Sequence, residues 1–216
     1  MSHETAQRED FLEDGFTLSS RTIADWYSYC REVVVVYQLD HQQFSGKIGG
    51  PGKTVQINES KFGKRKYNKG RRVKGHWVLG IIEDGKEDLR LEVCPDNIRS
   101  ADVLIPLIKK HVLEGTTIRT DFWRAYDCLS EHGFIHKKVN HSDPVNPFVA
   151  EDGTHTQRIE SQWRVVKRFF YKDNYNNPGI LADVIVEFMW RRTVAAEKRD
   201  AFIALIEAVK YVYKLE

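Results

Sequence analysis

The chain has 216 residues, 41% of them hydrophobic, 12% aromatic and 30% charged, the balance of a soluble globular protein with one large or two small domains. That aromatic content excludes a disordered chain, and the longest apolar run, Val33–Tyr37, is far below the ~20 residues of a membrane-spanning helix. The net charge of +2 hides a division: Lys61, Lys64, Arg65, Lys66, Lys69, Arg71, Arg72 and Lys74 are eight bases with no acid among them, which leaves −6 on the rest of the chain.

Such a patch suits a polyanionic partner, and equally a solvated loop or a nuclear import signal. The polar start, MSHETAQRED, lacks the apolar core of a secretory signal. Cys30, Cys94 and Cys128 are odd in number and widely spaced, and read as reduced thiols of an intracellular protein.

The first ~16 residues show no periodic pattern and are expected to fray. From Leu18, Ser19 or Ser20 offers an N-cap, and Ile23, Trp26, Tyr27, Cys30, Val33 and Val34 follow at helical spacing, which predicts an amphipathic helix with those residues inward. It is either a remnant of a helix-turn-helix or a helix packed on the core. GKIGGPGK (46–53) breaks the pattern and marks a boundary. We expect a helical N-terminal segment over 1–48, a catalytic-type domain over 53–196 and a C-terminal helix over 197–216.

Beyond the breaker, KTVQINES, RVKGHWVLGIIE and DLRLEVC read as three strands, with a turn at Asp84-Gly85 between the last two. RSADVLIPLIKKHVL reads as a helix with Val103, Leu104, Leu107 and Ile108 on its apolar face. TTIRTD is a short strand, FWRAYDCLSEH a helix and GFIHKKVNH a strand. After a Pro- and Asp-containing loop, THTQRIESQWRVVKRFFYK is a long helix, with Trp163 and Val166 inward. Two helices follow, from Ile180 and from Lys198. The order β-β-β-α-β-α-β-α predicts an α/β, RNase H-like domain: a mixed five-stranded sheet with helices on its faces.

In that layout the end of the first strand, the end of the fourth and the long helix converge. They carry Asn58-Glu59, Asp121 and Glu160. Strand ends of open sheets bind ligands, and converging carboxylates are what two-metal phosphoryl transfer needs. Asp121 can equally cap the segment after it, and Glu160 can be a surface carboxylate. His141 and His155 flank the same place, with a structural role as open as a catalytic one.

The blocks IGGPGKTVQINESKFGKRKYNKGRRVKGHWVLGIIE, EGTTIRTDFWRAY, VNHS and HTQRIESQWRVVKR occur in one order. Together they resemble Merlin-type DDE transposases and their bacterial insertion-sequence relatives of the ISXO2-like type. The resemblance runs from about Leu18 to Tyr171. It implies an RNase H-like core with an Asp-Asp-Glu metal triad that cuts double-stranded DNA at transposon ends and joins it to target DNA with two Mg2+ or Mn2+ ions. It also implies a homo-oligomer, and a location in the nucleus of a eukaryote or otherwise in the cytoplasm.

The second Asp maps to Asp121 and the Glu to Glu160. The first Asp maps to Asn58, a departure that removes a charge and one coordinating oxygen. Glu59 should point to the opposite face of the strand. The resemblance therefore implies a transposase-like DNA-binding protein with impaired cleavage; the alternative is a domesticated DNA-binding protein with no chemistry. Lys64, Arg65, Lys66, Lys69, Arg71 and Arg72, with Arg158, Lys167 and Arg168 on the long helix, are the expected DNA contacts.

Overall fold

The computed structural model describes residues 18–42, 46–63, 75–172 and 178–214. The expected frayed N-terminus and the run containing Lys64, Arg65, Lys66, Lys69, Arg71 and Arg72 lie outside the described residues. The chain divides into two compact units. One comprises residues 45–168 and 176–182 and holds the sheet. The other comprises 1–44, 169–175 and 183–216 and is helical where described.

In the helical unit, α1 (Ser20–Gln42) starts where Ser19 Oγ accepts the Thr22 N–H at 3.0 Å, an N-cap of the expected kind. Val34 of α1 packs with Trp190, Val194 and Ala204. Glu187 sits between two guanidiniums, Arg31 and Arg191, each 2.8 Å from one of its oxygens. The pairing satisfies a carboxylate that is only 6% exposed. The expected inward face of α1 holds at Ile23, Val33 and Val34, which are buried, but fails at Trp26, which is 62% exposed.

The sheet unit begins with β1 (Ile48–Gly49), paired in parallel with β5 (Val112–Leu113). Gly49 has φ +84°, and a Cβ there would fall 2.4 Å from Thr116 Oγ1, so only glycine fits. The main sheet comprises β2 (Thr54–Phe62), β3 (His76–Glu83), β4 (Leu89–Val93), β6 (Thr117–Asp121) and β7 (Ile135–Val139), in the order β4-β3-β2-β6-β7. β2, β3 and β4 are antiparallel neighbours, whereas β2, β6 and β7 run parallel. Helix α2 (Ala101–His111) lies between β4 and β6, residues 124–132 connect the parallel strands β6 and β7, and helix α3 (Gln157–Lys172) follows β7. This is the mixed RNase H-like sheet that the order of elements predicted.

Alternation along β2 divides the sheet into two faces. Val55 and Ile57 join Leu79, Ile81 and Ile118 against Leu104, Ile105 and Ile108 of α2, forming one core. Gln56 and Asn58 lie on the other face, towards α3. One element differs from expectation: residues 124–132 form a 3-10 helix, not an α-helix. Asp121 Oδ1 accepts the Trp123 N–H at 3.1 Å, and no side chain caps the segment. The α-type first turn is therefore not nucleated, while Ala125, Tyr126 and Leu129 are still buried. Beyond the sheet unit, α4 (Leu181–Ala196) and α5 (Ala201–Tyr213) follow, and the Asp200 carboxylate accepts from the N–H groups of Phe202 and Ile203 at the start of α5.

Candidate functional site

The α3 side of the sheet is organised by a buried amide. Gln56, fully buried in the middle of β2, accepts the backbone N–H groups of Arg158 (3.0 Å) and Ile159 (3.3 Å) through Oε1. These are first-turn donors of α3, which have no intrahelical acceptor. Gln56 Nε2 donates to Asp84 Oδ1 at 2.8 Å, and Asp84 Oδ2 accepts from Arg119 on β6 at 3.1 Å. One side chain thus ties the start of α3 to the strand that carries Asn58, and fixes where Glu160 stands.

Asn58 is the next residue on the same face of β2. Its Oδ1 accepts the indole N–H of Trp163 at 3.1 Å. Opposite Asn58 on β3 is Gly80. A Cβ at Gly80 would fall 2.7 Å from the Trp163 ring and 2.9 Å from Ile159, so the missing side chain is the space the indole fills. The parallel register pairs Gln56 with Arg119. The β2–β6 pairing stops there, and Asp121, two residues on at the end of β6, acts through its charge on Glu59 and Tyr126.

Glu160 lies one turn before Trp163 on α3. Its Oε1 accepts from the buried Thr156 hydroxyl at 2.6 Å, and His141 Nε2 is 3.4 Å from the same oxygen. His141 is itself oriented by its Nδ1–H, which donates to the Pro147 carbonyl at 2.8 Å. Asn58, Asp121 and Glu160 thus each have one oxygen engaged by a neighbour: the Trp163 indole, the Trp123 N–H and the Thr156 hydroxyl.

Glu59 points the other way, as alternation requires. Its Oε1 and the Tyr126 hydroxyl are both buried without a well-formed hydrogen bond. Burial pushes its pKa up to about 7; the nearby Tyr126 hydroxyl and Arg99 oppose the rise, and the charge of Asp121 adds to it. A carboxyl on the far face, inclined to hold its proton, does not replace a missing Asp at position 58.

The donor set can be tested against a pair of divalent cations. Two ions about 3.5–4 Å apart need several converging oxygens, with one carboxylate usually shared. Among the described residues, no three His, Cys, Asp or Glu side chains are grouped closely enough to hold a metal ion. The amide oxygen of Asn58 is neutral and takes an indole N–H. The residues present do not fit a two-ion site.

Of the expected DNA contacts, Lys167 and Arg168 are exposed on α3, and the Lys167 ammonium lies 5.8 Å from the centre of the Phe62 ring. Arg158 is not grouped with them: its guanidinium bonds the Lys86 carbonyl and Glu87 in the turn between β3 and β4. The β2–β3 ladder ends at the pair Phe62–His76. Gln56, Thr156 and Gly80 had no sequence motif to announce them; the one available signal was a polar residue, Gln56, between Val55 and Ile57 in an apolar strand.

Residues 43–193, more than half of the chain, match the family described as ISXO2-like transposase domain. A Haemophilus influenzae protein described as an uncharacterized transposase-like protein is 33% identical over 82 residues, which are 38% of this chain and 63% of that protein. The chain thus spans less than two thirds of that relative's length. The catalytic core domain of BIV integrase aligns over 74% of this chain and 97% of its own, with a TM-score of 0.41 and 11% identity. No described helix is long and apolar enough to cross a membrane. With the family match spanning the whole sheet and all three candidate site positions, this chain belongs to the ISXO2-like transposase domain family.

Proposed function

We propose that this chain is a transposase-type protein that binds double-stranded DNA, and that its DDE strand-cleavage site, formed by Asn58, Asp121 and Glu160, is disabled at Asn58. The observation that carries the reading is the bond from Trp163 to Asn58 Oδ1. It assigns the side chain at position 58 a packing role on α3 and leaves a neutral group where a shared, charged ligand is needed. An intact site would use Mg2+ or Mn2+ to activate the attacking and leaving oxygens. With two carboxylates and an occupied amide, transition-state stabilisation worth several kcal/mol is lost.

DNA binding does not depend on that chemistry. Lys167 and Arg168, with Lys64, Arg65, Lys66, Lys69, Arg71 and Arg72, are the proposed phosphate contacts, and each phosphate neutralised releases counterions. A homo-oligomer, as strand transfer between two ends would require, is part of the same proposal. Anisotropy of a labelled duplex, in EDTA across a salt series, tests the binding half: tight binding that weakens steeply with salt is expected, and salt-independent or absent binding contradicts it. Calorimetric Mn2+ titration tests the other half. Asn58→Asp should tighten Mn2+ binding by about tenfold or more; equal affinity in the two proteins contradicts the assignment.

A further inference from the structure

Immediately after Asp121 the chain exposes two aromatic side chains, Phe122 (58% exposed) and Trp123 (38%). Hydrophobic residues of this size at a strand end are usually covered. Here each is paired with a cation. The Lys138 ammonium stands 4.6 Å from the centre of the Phe122 ring. The Arg99 guanidinium is held between two indoles, 4.1 Å from Trp123 and 4.2 Å from Trp77, and Lys61 approaches Trp77 from 5.4 Å.

The cluster is rigidly built. Trp123 Nε1 donates to the Arg99 carbonyl at 3.3 Å, and its backbone N–H bonds Asp121 Oδ1. The Trp77 N–H donates to Asn97 Oδ1 at 2.8 Å, and Asn97 Nδ2 to the Gly75 carbonyl at 2.8 Å. Arg99 is half-buried, and its charge also acts on the Glu59 carboxyl. A guanidinium lying against aromatic rings binds a planar or tetrahedral anion such as phosphate through its N–H edge. Lys138 is already paired with Asp127 at 2.9 Å, which leaves Arg99 and Lys61 as the cations for a ligand.

Aromatic faces interleaved with cations are what a single nucleic-acid strand needs: stacking is tolerant of base identity, and the cations take the backbone. Within a duplex the bases are stacked on each other on both faces, and only a terminal base pair can offer a face to Phe122. We propose that Phe122, Trp123 and Arg99 form a docking site for an unpaired nucleotide of a DNA strand, its base stacked on the exposed rings and its phosphate on the Arg99 edge, beside Asp121. This rests on the DNA-binding reading above and names the form of DNA that reaches the site: a strand end or locally unpaired nucleotide.

The test uses the full chain in EDTA at one fixed salt concentration, with three labelled DNAs: a blunt duplex, the same duplex with a short thymidine tail, and that duplex with an abasic tail. The tailed duplex should bind about fivefold or more tighter than the blunt one, from one stacked base. The abasic tail should lose most of that gain. Phe122→Ala should remove the preference without changing blunt-duplex affinity, which also reports that the variant is folded, and Phe122→Trp should restore it. Equal affinity for blunt and tailed duplexes, a preference kept by Phe122→Ala, or an abasic tail as good as the thymidine tail overturns the proposal while leaving the DNA-binding reading standing. Failure of all three DNAs to bind overturns both.

Discussion

Replacing Gln56 with Leu keeps the volume of the side chain and removes its polar atoms. The structure gives the cost. Two buried α3 N–H groups, from Arg158 and Ile159, lose their acceptor, and Asp84 loses one donor while keeping Arg119. Leaving a buried donor unsatisfied costs about 1–3 kcal/mol, so two cost about 2–6 kcal/mol, with a small offset from the added apolar surface. Arg158 is only half-buried, and water reaching its N–H puts the expected value towards the lower end, about 2–3 kcal/mol. Urea unfolding of the sheet unit should show the loss as a lower midpoint with an unchanged slope. A midpoint within about 0.5 kcal/mol of the natural protein would refute the claim that Gln56 holds α3 to the sheet.

Gly80→Ala drives a methyl group into the Trp163 ring, 2.7 Å from its nearest carbons; it should destabilise the fold by about 1–3 kcal/mol, read as a lower melting temperature. Glu59 retains its proton to about pH 7 in the fold and to about pH 4.5 when unfolded. Between those values the folded state binds more protons, so this group's contribution to stability falls as pH rises. Glu59→Gln should therefore gain on the natural protein progressively from about pH 4.5 to 7 in paired denaturation curves; a difference that stays constant with pH contradicts the burial argument. His136 works in the opposite sense. Burial, helped by Lys138, lowers its pKa to about 4, so its contribution is lost as pH falls below its ordinary value, which is why the comparison must be between variants and not the bare pH profile.

The sheet was legible because its signals are local. Alternating Val55, Ile57 and Leu79, Ile81, with the Asp84-Gly85 turn, specify an antiparallel ladder, and the later strand-helix alternation specifies the parallel half. Asp121 at the end of β6 and Glu160 in the first turn of α3 stand where that order put them. Asn58, expected at a strand end, is mid-strand because β2 runs on to Phe62. What supports them did not follow from the order. Gly80 looks like an ordinary strand glycine until Trp163 is laid over it, a contact 83 residues away in the chain. The cap on α3 comes from a strand about a hundred residues earlier, where no capping pattern would be sought. Trp26 shows the limit from the other side: periodicity gives a helix a face, but its partner decides which end of that face is covered.

We propose that the neutral side chain at position 58 is what disables strand cleavage. This is tested most directly by a nicking and strand-transfer assay in Mn2+ on the natural protein, Asn58→Asp, and Asn58→Asp combined with Glu160→Gln. The substrate is duplex DNA carrying the element's terminal repeats, or a generic duplex where none is found. The natural protein is expected to be inert, Asn58→Asp to cleave, and the added Glu160→Gln to abolish the cleavage. Cleavage by the natural protein that Glu160→Gln stops would contradict the proposal, and would make Asn58 or Glu59 a working ligand.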